Sequence, residues 1–107
     1  MASIGAMGDL LKQAQEMQSR MAKIQEELAN KTVQGSAGGG MVQATVNGQF
    51  NLTAVKIEPS VVNPNEKEML EDLILAAVND GMRKARELAS SEMSKLTGGL
   101  KIPGLMP

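Results

Sequence analysis

The chain has 107 residues, with 11 Lys and Arg against 12 Asp and Glu, a net charge of −1 and a pI near 5.4. That length fits one domain, and the charge balance lacks the excess of bases usual where a domain binds nucleic acid by neutralising phosphates. Histidine and cysteine are both absent, which excludes disulfides, thiolate nucleophiles, His-based triads and general bases, and most zinc sites.

The opening MASIGAMGD has neither a basic n-region nor a continuous apolar stretch, and no segment approaches the roughly 20 apolar residues of a membrane span. A soluble, non-secreted chain is expected, with residues 1–8 loose. From Asp9, a candidate cap or first-turn acid, to about Lys31, apolar residues fall at Met7, Leu10, Ala14, Met17, Met21, Ile24 and Leu28. Their alternating steps of three and four make an a/d seam on a helix roughly 35 Å long. A short sheet cannot cover that length, so the free end of the seam is expected to meet a partner helix. On the polar face Lys12 and Glu16, Glu16 and Arg20, Lys23 and Glu27, and Glu27 and Lys31 stand four apart, each pair worth only about a few tenths of a kcal/mol.

Thr32 to Glu58, TVQGSAGGGMVQATVNGQFNLTAVKIE, reads as a three-stranded meander. Gly35, Gly38, Gly39 and Gly40 lead into a strand and lack the Gly-Lys-Ser/Thr ending of a phosphate loop, so they are read as a turn or a place of close backbone approach. Asn47-Gly48 is the signature of a two-residue type I′ hairpin, which sets Val46 opposite Gln49, Ala44 opposite Asn51 and Val42 opposite Thr53. One face then carries Val42, Ala44, Val46, Val55 and Ile57, and the other Met41, Thr45, Phe50, Leu52 and Ala54. Both faces need cover on this register. Phe50 is the single aromatic residue, beside nine Met. The core is therefore aliphatic and small, and methionine fills space without fixing one packing, so a second subunit would help it. Met17, Met21, Ile24, Leu28, Phe50 and Leu52 are assigned to that core or to a dimer contact.

Asn63-Pro64-Asn65-Glu66 combines a capping Asn, Pro at the first helical position and Glu three residues after the cap, and starts a second helix that runs to about Leu96. Met69, Leu70, Leu73, Ile74, Ala77 and Val78 give its first half a wide apolar stripe suited to a sheet face. Acids gather from Glu66 to Asp80 and bases from Arg83 to Lys95, which complements the helix dipole. Asp80 is placed to answer Lys84, and Glu87 to answer Arg83, leaving Arg86 without an acid three or four residues away. The closing residues 97–107, TGGLKIPGLMP, have no period and are expected to be mobile.

In this order, and with LLKQAQEMQSRMAKIQEEL, VQGSAGGGMVQATVNG, VKIEPSVV and EKEMLEDLILAAVND as its carriers, the chain resembles the YbaB/EbfC family of small bacterial nucleoid-associated proteins. The resemblance covers nearly the whole chain. It implies an α+β fold with α-β-β-β-α subunits, a three-stranded antiparallel sheet and two long helices over residues 9–96. It also implies a tweezers-like homodimer that binds duplex DNA in the cytoplasm, at the nucleoid, and alters its conformation.

The family supplies no short catalytic or base-reading motif, so DNA contacts are assigned from charge and position: Lys12, Arg20 and Lys23 on the first helix, and Arg83, Lys84 and Arg86 on the second. Catalytic, cofactor and metal residues are assigned to none, and neither a membrane nor a small-molecule substrate is expected. A single aromatic residue argues against single-strand recognition by base stacking. The other reading is a dimeric module whose seam and sheet surfaces bind another protein, without DNA. An enzyme ranks third, because the remaining Ser, Thr, Lys, Asp and Glu form no constellation.

Overall fold

The structure, a computed structural model, describes residues 3–97. Helix α1 spans Ser3–Asn30, strands β1, β2 and β3 span Thr32–Ala37, Val42–Asn47 and Leu52–Ile57, and helix α2 spans Lys67–Thr97. The strands form one antiparallel sheet in the order β1-β2-β3. The expected mobile tail lies outside the described residues, apart from Thr97, which closes α2. α1 starts six residues before Asp9, so residues 3–8 are helical rather than loose; Gly5 and Gly8 cost that helix only about 1 kcal/mol each relative to Ala.

α2 lies across β1 and β2, and the core sits beneath it. Val42, Ala44, Val46, Val61, Ala77 and Ala85 are buried, with Leu70, Leu73, Ile74 and Val78 packed around them. Each fully buried valine is worth about 1.5–3 kcal/mol. The close approach expected of a glycine occurs at Gly35: a Cβ there would collide with the Gly81 backbone and the Ala77 carbonyl of α2. Gly38, Gly39 and Gly40 turn the chain from β1 to β2 with φ of 63°, 68° and 96°, a region that side chains disfavour. Asn63 caps as expected, its Oδ1 accepting from Asn65 N at 3.0 Å, and a single 3-10 turn over Pro64–Glu66 precedes α2.

The hairpin register departs from expectation. Ala44 faces Val55 and Val42 faces Ile57, four residues beyond the two-residue-turn prediction. Asn47 causes the shift: its Oδ1 accepts from both Gln49 N and Asn51 N at 3.0 Å, its own N–H reaches Asn51 O, and Phe50 takes φ 67° to complete a longer loop. A bulge between Thr45 and Val46 then sets Leu52 opposite Val46. Because the shift is even, Val55 and Ile57 stay on the face of Val42 and Ala44, but Leu52 crosses to join them. The opposite face carries Gln34, Ser36, Gln43, Thr45 and Lys56. It is polar enough for water, so only one face demands cover, contrary to the sequence reading.

Candidate nucleic-acid interface

α2 neutralises most of its own bases. Asp80 is the hub: Arg83 Nη2 lies 2.9 Å and Lys84 Nζ 3.2 Å from its carboxylate, and Arg83 Nη1 reaches Glu87 at 2.8 Å. Both pairs expected from sequence spacing form. The hub also closes the outer edge of β1, where Ser36 N donates to Asp80 Oδ2 and Lys84 Nζ donates to Gln34 O, each at 3.0 Å. That edge is thereby withdrawn from pairing with another strand. The Ser36 N–H, then Arg83 and Lys84, hold the Asp80 carboxyl down at about 2. Arg83 is raised in turn, chiefly by its bond to Asp80. Lys67 and Glu71 make a looser pair at 3.8 Å.

Glu92 is the only charged residue buried among those described, at 5% exposure. It accepts from Lys31 at 2.7 Å and from Lys95 at 3.2 Å, tying the foot of α1 to the far part of α2. The Lys31 bond, then that of Lys95, lowers the Glu92 carboxyl, and the same bond raises Lys31.

α1 contrasts with this. None of its expected four-apart ion pairs closes, and Lys31 goes to Glu92 instead of Glu27. Exposed charges at that spacing gain too little to fix two long side chains. Among the described residues Lys12, Arg20, Lys23, Lys56 and Arg86 therefore have no carboxylate within ion-pair distance. Lys12, Arg20 and Lys23 fall within about 80° of one another on the helix, across it from the apolar seam. Their surface is open: every residue from Gly5 to Glu16 is exposed. Lys56, on the polar sheet face, was missed by sequence reasoning, although strand alternation with Ile57 inward would have pointed it outward.

Of the six residues assigned to core or dimer, Leu28 is buried, Met17 and Ile24 are half-buried, and Met21, Phe50 and Leu52 are exposed at 42%, 47% and 44%. Within one chain, only Leu28 belongs to the core. α2 does not reach over β3, which leaves Leu52 and Val55 uncovered on the apolar face. Among the described residues no cluster of acidic side chains is placed to hold a metal ion. No helix there is long and apolar enough to cross a membrane.

Residues 4–100 match the model of a family described as YbaB/EbfC DNA-binding. The chain is 55% identical to a nucleoid-associated protein of Desulfotalea psychrophila over 90% of its own length and 91% of that protein's. It is 56% identical to a nucleoid-associated protein of Syntrophobacter fumaroxidans, covering 89% and 86% of the two chains. The crystal structure of an uncharacterized Helicobacter pylori protein shares the fold at a TM-score of 0.71 and 25% identity, over 86% of this chain and 94% of that one.

Proposed function

The chain belongs to the YbaB/EbfC DNA-binding family, and from that premise we propose a nucleoid-associated, cytoplasmic homodimer that grips duplex DNA through its phosphates, alters its path and catalyses nothing. The observation that carries the reading is the division among cations. Arg83 and Lys84 are held by Asp80 and Glu87, whereas Lys12, Arg20, Lys23 and Arg86 are unpaired. Only an unpaired base meets a phosphate without first losing a carboxylate. The four free residues therefore carry most of the affinity, with Arg86, whose planar fork suits phosphate oxygens, first among them. Arg83 and Lys84 add a smaller share. Contacts of this kind tolerate any base sequence.

The dimer contact is assigned to β3. Its outer edge has no partner among the described residues, the β1 edge is capped, and Leu52, Val55 and Phe50 surround it with uncovered apolar surface. A protein-interaction module without DNA would use the same surface, so the test must read DNA directly. Light scattering at micromolar concentration should give twice the 11.3 kDa chain mass. A random-sequence duplex titrated at several salt concentrations should give log K against log salt a slope near −5 if a dimer neutralises about six phosphates. Replacing Lys12, Arg20, Lys23 and Arg86 by Ala should flatten that slope in a folded dimer. Unchanged affinity in that variant would overturn the assigned surface, and a chain that binds no duplex at low salt would leave the protein-interaction reading.

A further inference from the structure

We propose that the turn Asn47-Gly48-Gln49 is a socket that aims α1, making these three positioning residues for phosphate contacts they never touch; this rests on the DNA reading above. A helix leaves its last carbonyls without intrahelical donors, and α1 has no base in its last turn and no glycine after it to supply them. The hairpin supplies two of them: Gly48 N donates to Leu28 O at 2.8 Å, shared with Lys31 O at 3.0 Å just past the helix, and Asn47 Nδ2 donates to Ala29 O at 3.4 Å. Gln49 Nε2 adds a bond to Gln25 O, further up α1, at 3.0 Å.

The socket is also sterically exact at one point. A Cβ on Gly48 would lie 2.6 Å from Leu28 Cδ2 and 2.8 Å from Leu28 O. Gly48 is not among the residues of positive φ, so alanine there acts as a wedge under α1 and not as a turn breaker. Leu28 is the one seam residue buried, and the helix from Gly5 to Glu16 is wholly exposed. α1 is thus a lever held at its foot. Lys12 stands about 24 Å from Leu28 along the axis, so a tilt of about 10° at the foot moves it by about 4 Å. One strand of duplex DNA advances about 3.4 Å per phosphate. A small error in the socket therefore costs the arm a full phosphate step.

The test measures arm direction and DNA binding separately. The chain has no cysteine, so Gln18→Cys and Ser60→Cys place two spin labels, and pulsed dipolar spectroscopy of full-length labelled chain diluted into unlabelled chain reads the intrachain distance. Gly48→Ala and Asn47→Ala should shift or broaden that distance by about 2.5 Å, the label at position 18 being about 15 Å from the foot. Duplex affinity at fixed salt should fall about tenfold while circular dichroism stays native. Gln49→Ala, an exposed side chain bonded only to α1, guards against misfolding of the other two and should show a smaller change of the same kind. Unaltered distances in the folded variants overturn the socket. Altered distances with duplex affinity unchanged overturn its positioning role. Failure of the unsubstituted chain to bind duplex would count against the DNA reading alone, since the distances still decide whether the turn aims the helix.

Discussion

α1 and α2 are near equals in length, at 28 and 31 residues, and both are rich in charge, yet the chain uses them in opposite ways. α2 spends its bases on its own acids and on the edge of β1, lays Ala77 and Gly81 against the sheet, and buries Glu92. α1 closes no internal ion pair and leaves its first half in water. Asp80 gathers Arg83 and Lys84 because the Ser36 N–H at the β1 edge already holds its carboxylate in place; on a free helix the same spacing gains only about a few tenths of a kcal/mol. Charge left unspent on α1 is charge available to a ligand.

The largest break in this comparison should come from a single methyl group. Gly35→Ala pushes α2 off the sheet, because the obstacle is the backbone at Gly81 and Ala77, which has no rotamer to yield. We expect a loss of about 3 kcal/mol or more, a large fraction of the stability of a domain this small. Leu11→Ala, on the exposed arm, should change subunit stability by less than about 0.5 kcal/mol. Urea unfolding of the two variants side by side checks both. Equal costs would mean that the arm is part of the core.

The next effect is on DNA. Replacing Lys12, Arg20 and Lys23 together by Ala should lower duplex affinity at least about tenfold and flatten the salt slope, whereas Arg83→Ala should lower it about twofold, its charge being answered by Asp80 and Glu87 already. Fluorescence anisotropy with one unrelated pair of duplexes reads both the size and the sequence tolerance. A larger loss from Arg83 would reverse the division between the helices.

Much of this was legible in the residues. The element order, the Asn63 cap, the glycine turn, the apolar stripe of α2 and the Asp80–Lys84 and Glu87–Arg83 pairs are local, each set by a few neighbouring positions. The hairpin register was not, because Asn47-Gly48 satisfies the short-turn signature while the Asn47 side chain captures Gln49 and Asn51 and opens a longer loop. Its even shift kept Val55 and Ile57 on the predicted face; the bulge moved Leu52. The Lys31–Glu92 clasp joins residues 61 apart, and the capping of the β1 edge by Asp80 and Lys84 spans 44 and 50. Such contacts exist only once the sheet and helix have docked. No spacing rule finds them.

Acid should loosen the two regions in the same direction. Asp80, held at about 2 by Ser36, Arg83 and Lys84, and Glu92, lowered by Lys31 and Lys95, both bind protons less readily folded than unfolded. Their contribution is present above the ordinary carboxylate range and is lost as pH falls from about 4 toward 2. Thermal melts across that range should decline, and Asp80→Asn should be less stable at neutral pH with a shallower acid decline. A variant with the same acid limb as the parent would show that the hub contributes nothing. Raised Lys31 and Arg83 act at the other end, losing their share only above the ordinary lysine range.

The smallest effect belongs to the turn that joins the two regions. Phe50 holds φ 67°, a conformation that costs a side-chain-bearing residue about 1–2 kcal/mol, and its ring is 47% exposed in one subunit. A strained, half-exposed aromatic gains little inside its own chain, which fits a ring that packs at the proposed β3 contact. Phe50→Gly removes the strain at some cost in unfolded-chain entropy. For the dissociated subunit, at low protein concentration, stability should therefore rise by about 0.5 kcal/mol. At high concentration the sign should reverse, because loss of the ring weakens the proposed β3 contact and dimerisation stabilises by mass action. Melts at two concentrations a hundredfold apart read this crossing directly. If Phe50→Gly lowers stability equally at both, the ring serves its own subunit, and the dimer contact must be sought on the exposed seam of α1.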